Sequence, residues 1–203
     1  MRLRGGLLGA ALAVAAVTGI GAPAAGAEIL STDLSLAAAK VSCDYAPAQV
    51  FAPWGDLSWY APIQGSSFES GSSGWSLTGK ARLVSGDTNP LLRIPGNTAV
   101  EIPGGAVAKS PAVCVDATTP SMRFFVRRVA GSGSLTVTAT LSGDKMVTTV
   151  TRIGATAAWA PSPVIVFPDW GLTTALKAEF AFVADPGTVY RIDDVYIDPF
   201  RCC

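Results

Sequence analysis

The sequence predicts an all-β fold, an antiparallel β-sandwich, and three observations predict it. Turn signals recur along the chain, among them Gly71-Ser72-Ser73-Gly74, Ser85-Gly86-Asp87, Pro95-Gly96-Asn97, Pro103-Gly104-Gly105, Gly131-Ser132-Gly133, Ser142-Gly143-Asp144 and Asp185-Pro186-Gly187. Their spacing is near that of a sandwich or barrel. The segments between them alternate apolar and polar residues, which suits a half-buried strand. Beyond the first 27 residues, no long stretch carries helical periodicity.

The strands can be justified in order. Between Ser121 and Arg127, Met122, Phe124 and Val126 share one face. Leu135, Val137, Ala139 and Leu141 face one side, with Thr136, Thr138 and Thr140 on the other, where a branched Cβ suits a pleated surface. Met146–Thr151 follows the tight Gly143-Asp144 turn, so the two segments should form a hairpin. Ala178, Phe180 and Phe182 alternate with Glu179, Ala181 and Val183, and Val189–Ile197 makes a last strand. That last strand breaks step. Tyr190 and Ile192 lie on one face, Val195 and Ile197 on the other, so both pairs reach a core only if the chain slips phase across Asp193-Asp194 in a β-bulge.

Residues 1–27 read as a signal peptide. Arg2 and Arg4 precede an apolar run from Leu7 to Ile20, and Ala25-Gly26-Ala27 offers a cleavage site before Glu28. A membrane anchor would need about 20 apolar residues, more than this run supplies. Export to a secreted or extracellular location is expected, with residues 28–45 a tether or short helix and 46–203 a single domain. Cleavage takes two cations from the fifteen, leaving thirteen against fifteen acids, a net charge of −2. That argues against nucleic acid as partner, since phosphate binding needs a clustered basic face. Arg123, Arg127 and Arg128 are the one local cluster and read as solvated surface.

Cys43, Cys114, Cys202 and Cys203 fit an oxidising compartment, and three pairings are formally open. A ring between adjacent Cys202 and Cys203 would be strained. The pairing adopted is Cys43–Cys114, which would constrain the unfolded chain by roughly 4 kcal/mol. A bridge from either one to the tail stays open. Zinc-type binding is disfavoured, because there is no Cys-x-x-Cys pair and no His in the chain.

Without His there is no Ser-His-Asp or Cys-His site. Glu69, Glu101, Asp193 and Asp194 could in principle serve a glycosidase, but their spacing places no two across a cleft. Gly131-Ser132-Gly133 lacks the Lys and following helix of a phosphate loop. A non-enzyme is expected. Sugars present flat C–H faces that stack on exposed aromatic rings. Trp54, Trp59, Tyr60, Trp159 and Trp170 lie in Pro- or Gly-flanked, loop-like sequence and are the candidate ligand-binding residues, whereas Trp75 reads as core.

Phe68-Glu69 with Gly74-Trp75 near the start, and Ile192-Asp193-Asp194-Val195 at the end, resemble the opening and closing motifs of galactose-binding-like, jelly-roll carbohydrate-binding modules. A wider set is similar to a family of small secreted actinobacterial proteins without an assigned activity. It comprises Phe51–Asp56, Ser67–Glu69, Gly74–Gly79, Ser110–Cys114, Arg123–Phe125, Trp159–Pro163 and Ile192–Pro199. The pattern of that family includes cysteines matching Cys43 and Cys114, which supports their pairing, and lacks the Cys202-Cys203 tail. The jelly-roll resemblance implies a structural calcium held by Glu69 and Asp194, with Asp193 as substitute and carbonyls from the 64–69 and 86–90 loops assisting. The competing reading is that these acids accept hydrogen bonds from turn amides. The resemblance also makes carbohydrate, from the cell wall or an extracellular polysaccharide, the favoured ligand. A structural or adhesive surface protein acting through protein contacts is the alternative, and an unrecognised hydrolase comes third.

Overall fold

A computed structural model describes residues 46–198, apart from 87, 93–95, 117–118, 120, 143–146 and 168–175. After a one-turn 3₁₀ helix at Ala52–Trp54 come β1 (Ala61–Pro62), β2 (Ser76–Thr78), β3 (Arg82–Ser85), β4 (Thr98–Pro103), β5 (Val107–Lys109) and β6 (Val113–Val115). Then follow β7 (Ser121–Ala130), β8 (Leu135–Ser142), β9 (Val147–Ile153), β10 (Ala160–Pro161), β11 (Ile165–Val166), β12 (Leu176–Ala184) and β13 (Val189–Asp198). One sheet runs β10-β7-β13-β4-β3, with β1 on β13 and β11 on β7. The other runs β2-β5-β12-β8-β9, with β6 on β12. The pairings are antiparallel throughout, and the predicted hairpin is the β8–β9 pair. The fold is the expected two-sheet sandwich. Among the described residues no helix is long and apolar enough to cross a membrane.

The alternations place the core. Met122, Phe124 and Val126 of β7 and Val100 and Ile102 of β4 meet Leu135, Val137, Ala139 and Leu141 of β8 and Ala178, Phe180 and Phe182 of β12. Phe124 and Phe182 meet across the two sheets edge to face, centroids 5.1 Å apart. Trp75 is core, as read, lying between Phe68 and Phe182.

The last strand slips as its pattern requires. Asp193 pairs with Phe125 and Val195 with Phe124, so Asp194 is the extra residue of a bulge, at φ 41°. Asp tolerates this left-handed backbone better than most residues because its short polar side chain bonds locally. The slip lets Tyr190, Ile192, Val195 and Ile197 all reach the core. The opening segment is stitched to the bulge: the Ile63 amide and the Ser66 hydroxyl donate to the Val195 carbonyl, and the Asp194 amide donates to the Ser66 carbonyl.

The first sheet is buried on its outer face as well. Phe51, Tyr60, Leu92, Ala99, Phe125 and Trp159 form a second apolar cluster, joined by Val50, Val84, Leu91 and Tyr196. The segment 46–60 lies over this face, and Arg123 fastens it: Nη1 bonds Asp56 Oδ2 at 2.7 Å while Nε and Nη2 donate to the Ser162 carbonyl. The expectation that the arginine cluster is solvated surface therefore fails at Arg123, which is 8% exposed. A neighbouring carboxylate and a carbonyl provide the partners that a buried guanidinium needs. Cys114 on β6 is disulfide-bonded. Cys43, Cys202 and Cys203, with the expected signal and tether segments, lie outside the described residues.

Candidate functional site

Between segment 46–54, loop 62–69, residues Leu91, Leu92 and Gly96, and the outward side chains of β13 lies an open groove of about 930 Å³. Its lining is mostly apolar, with Trp54, Pro53, Leu91 and Leu92 among the walls, and Gln49, Gln64, Ser67, Glu69, Asp194 and Tyr196 supplying polar groups.

Trp54 is set by local sequence. Pro53 presets the φ of the 3₁₀ turn, and Gly55, at φ 78°, closes it in a left-handed cap. The indole stands edge-on to Phe125, centroids 5.6 Å apart, and tilted against Phe51 at 6.4 Å. It is nevertheless 39% exposed, so a braced ring is offered to solvent at the groove. Trp59 is similarly exposed but does not line the groove. Two of the predicted platforms are corrected. Tyr60 is buried, its ring edge-on to Phe51 and its hydroxyl donating to Asp56 at 2.9 Å. Trp159 is buried in the second cluster, with the Arg127 guanidinium 6.0 Å from its ring. Each serves the apolar cover of the outer face, although Tyr60 is also among the residues that line the groove. Trp170 lies outside the described residues.

At the bulge end of the groove the predicted acids do come together. Phe68 takes φ 58°, rare for a bulky residue, and this turns its ring into the core while Glu69 reaches the next loop. There Glu69 Oε1 accepts from the Asn97 and Thr98 amides at 2.8 and 2.7 Å. Gly96 makes room, since a Cβ there would stand 2.7 Å from that oxygen. Asp193 Oδ1 accepts the Asp194 amide, and Asp194 Oδ2 accepts the Tyr196 hydroxyl. Asp193 is 1% exposed, and burial first, then the like charges of Asp194 and Glu69, push its carboxyl up to about 8. Burial, then the Glu69 charge, raises Asp194 too, against the Tyr196 hydrogen bond. Tyr196 is pushed up by burial and by Asp194.

Glu69 thus accepts backbone amides as the turn-amide reading has it, whereas the Asp194 carboxylate accepts a hydroxyl. Among the described residues no group of three or more His, Cys, Asp or Glu side chains is arranged to hold a metal ion. Ca²⁺ asks for about six to eight oxygens, and three of the six carboxylate oxygens here already accept protein hydrogen bonds. Sequence reasoning missed the groove itself, and with it Gln49, Gln64 and Leu91. No local signal marks them, because the groove exists only where four separate segments converge.

The sandwich has counterparts among solved structures. A family 61 carbohydrate-binding module in complex with beta-1,4-galactotriose matches 68% of this chain and 97% of its own, at 17% identity and TM-score 0.41. The CBM22-1 xylan-binding domain from Paenibacillus barcinonensis Xyn10C matches 68% and 94%, at 16% identity and TM-score 0.46. A family 11 carbohydrate-binding module from Clostridium thermocellum, in complex with a beta-1,3-1,4-mixed-linked tetrasaccharide, matches 66% and 93%, at 11% identity and TM-score 0.40. No protein-family model matches the chain, and no curated protein matches it.

Proposed function

We propose that this is an exported, non-catalytic binding protein whose groove takes a carbohydrate chain from the cell wall or an extracellular polysaccharide. One observation carries the reading: a braced, half-exposed Trp54 opens onto a large groove that also offers hydroxyl, amide and carboxylate groups. A sugar's C–H face can lie on the indole while its hydroxyls meet the polar groups, the usual division of labour in a ligand pocket. Affinity electrophoresis through gels containing soluble polysaccharides tests it. Trp54→Ala should weaken retention by at least about tenfold, as loss of a central aromatic anchor does. Trp59→Ala, exposed but outside the groove, should leave retention unchanged. Failure of every polysaccharide to retard the protein, with retention on envelope proteins instead, would favour an adhesive role.

For calcium at Glu69, Asp193 and Asp194 the test is thermal. The amide-bonded geometry predicts the same melting temperature in Ca²⁺ and in chelator. A rise with Ca²⁺ that Glu69→Ala abolishes would assign the metal.

A further inference from the structure

The groove opens onto the second apolar cluster. Tyr60 and Leu92 line the groove and belong to that cluster, while Val50, Leu91 and Tyr196 line it and pack against the cluster. Phe51 and Phe125, the two rings that brace Trp54, are members of the same cluster. The indole is therefore continuous with an aliphatic surface of Val50, Leu91 and Leu92. Exposed amide side chains stand in the same lining, on Gln49 and Gln64. Gln49 Nε2 donates to the Leu57 carbonyl at 2.7 Å, which orients the amide and leaves Oε1 as an acceptor. The Gln64 carbonyl accepts the Trp75 indole N–H at 3.1 Å, which fixes the backbone that carries the second amide. The charged residues among the groove's described lining are Glu69 and Asp194, both negative.

We infer that the groove takes a polysaccharide of N-acetylated amino sugars, with a sugar face on Trp54, the acetyl methyl against Val50, Leu91 and Leu92, and the acetamido amide at Gln49 and Gln64. This rests on the carbohydrate reading above. An unsubstituted sugar carries hydroxyls around its ring, and a hydroxyl pressed against aliphatic side chains gives up water without gaining a partner. An acetamido group removes that conflict. Its methyl gains from burial where a hydroxyl would lose, and its amide brings one donor and one acceptor. Gln49 Oε1 can accept the acetamido N–H, and the Gln64 amide can donate to the acetamido carbonyl. The group is also uncharged, whereas a polymer bearing uronate or phosphate would meet Glu69 and Asp194 as like charges.

Calorimetric titration tests this with β-1,4-linked oligosaccharides of equal length, built of N-acetylglucosamine, glucosamine or glucose. The acetylated oligomer should bind about tenfold more tightly than either of the others, the combined worth of one buried methyl and one neutral hydrogen bond. Trp54→Ala should weaken all three. Leu91→Ser should narrow the preference for the acetylated oligomer, since it replaces part of the aliphatic surface with a hydroxyl. The comparison among the three oligomers is made on the parent protein and holds whether or not that variant folds. Trp54-dependent binding in which the glucose or glucosamine oligomer equals or exceeds the acetylated one overturns this inference and leaves the carbohydrate reading standing. Binding of no oligosaccharide overturns both. A glycan strand of the bacterial wall, in which alternate acetylated sugars carry a carboxylate, separates the two sources of such sugars. It should bind more weakly than the uncharged oligomer; tighter binding would keep the acetamido contact and assign the ligand to the wall.

Discussion

Arg123→Ala should cost about 3–5 kcal/mol of unfolding free energy, the range found when one partner of a buried ion pair is removed. Arg123 and Asp56 side chains are 10% and 14% exposed, so water cannot take over the lost contacts cheaply. The guanidinium serves three groups at once: the Asp56 carboxylate, the Ser162 carbonyl, and the Phe51 ring, whose centroid lies 4.5 Å from Cζ. Truncation strands Asp56 with the Tyr60 hydroxyl and the Ser58 amide as its remaining donors. Burial pushes the Asp56 carboxyl up, but Arg123, then Tyr60 and Ser58, more than offset it and hold the group below its ordinary value. A carboxyl depressed in the folded state stabilises above its unfolded value, about pH 4, and that stability is lost as pH falls through the lower folded value. Denaturant titrations at neutral pH and near pH 3 check both points: the variant should be much weaker at neutrality, and its deficit should narrow in acid. A loss below about 1 kcal/mol, the size of an exposed pair, would show that segment 46–60 is held by its aromatic contacts instead. Trp54 stands on Phe51, so the same variant should lose retention on polysaccharide gels.

How far the molecule was legible in its sequence follows from which interactions are local. Tyr190-Arg191-Ile192-Asp193-Asp194-Val195-Tyr196-Ile197 announced its bulge because period-two patterning records the phase of a strand, and a phase slip has few structural solutions. Leu135–Leu141 and Ala178–Phe182 were legible for the same reason. Tyr60 and Trp159 were misread because loop-like flanks say nothing about what lies beneath the loop. Here it is a sheet face covered by Phe125, Ala99 and Val84. Arg123 gave no sign of burial, since its partners are 67 and 39 residues away in sequence. The acids were legible as a meeting point because Phe68-Glu69 and Ile192-Asp193-Asp194-Val195 both come from pattern-bearing segments. The amides that Glu69 accepts were legible only as a competing reading, and the Tyr196 hydroxyl on Asp194 was not legible at all.

Asp193→Asn should stabilise the protein at alkaline pH, reversing the usual cost of altering a buried residue. The Asp193 carboxyl, pushed up to about 8, keeps its proton in the folded state well after the unfolded chain has released it. Wherever the folded state binds more protons than the unfolded one, stability falls as pH rises. The window runs from the ordinary carboxylate value, near pH 4, up to about 8, at roughly 1.4 kcal/mol per unit. Below the window both states are protonated and the group contributes nothing; above it the folded protein carries a buried charge with no cation beside it. Asn keeps the acceptor that Asp193 Oδ1 offers to the Asp194 amide and cannot ionise. The difference in unfolding free energy between variant and parent, measured by denaturant titration in chelator from pH 4 to 9, should therefore grow in the variant's favour by several kcal/mol. A variant that is weaker than the parent at pH 8 would mean that the ionised carboxylate is what the site requires, and a cation would then have to be sought beside it.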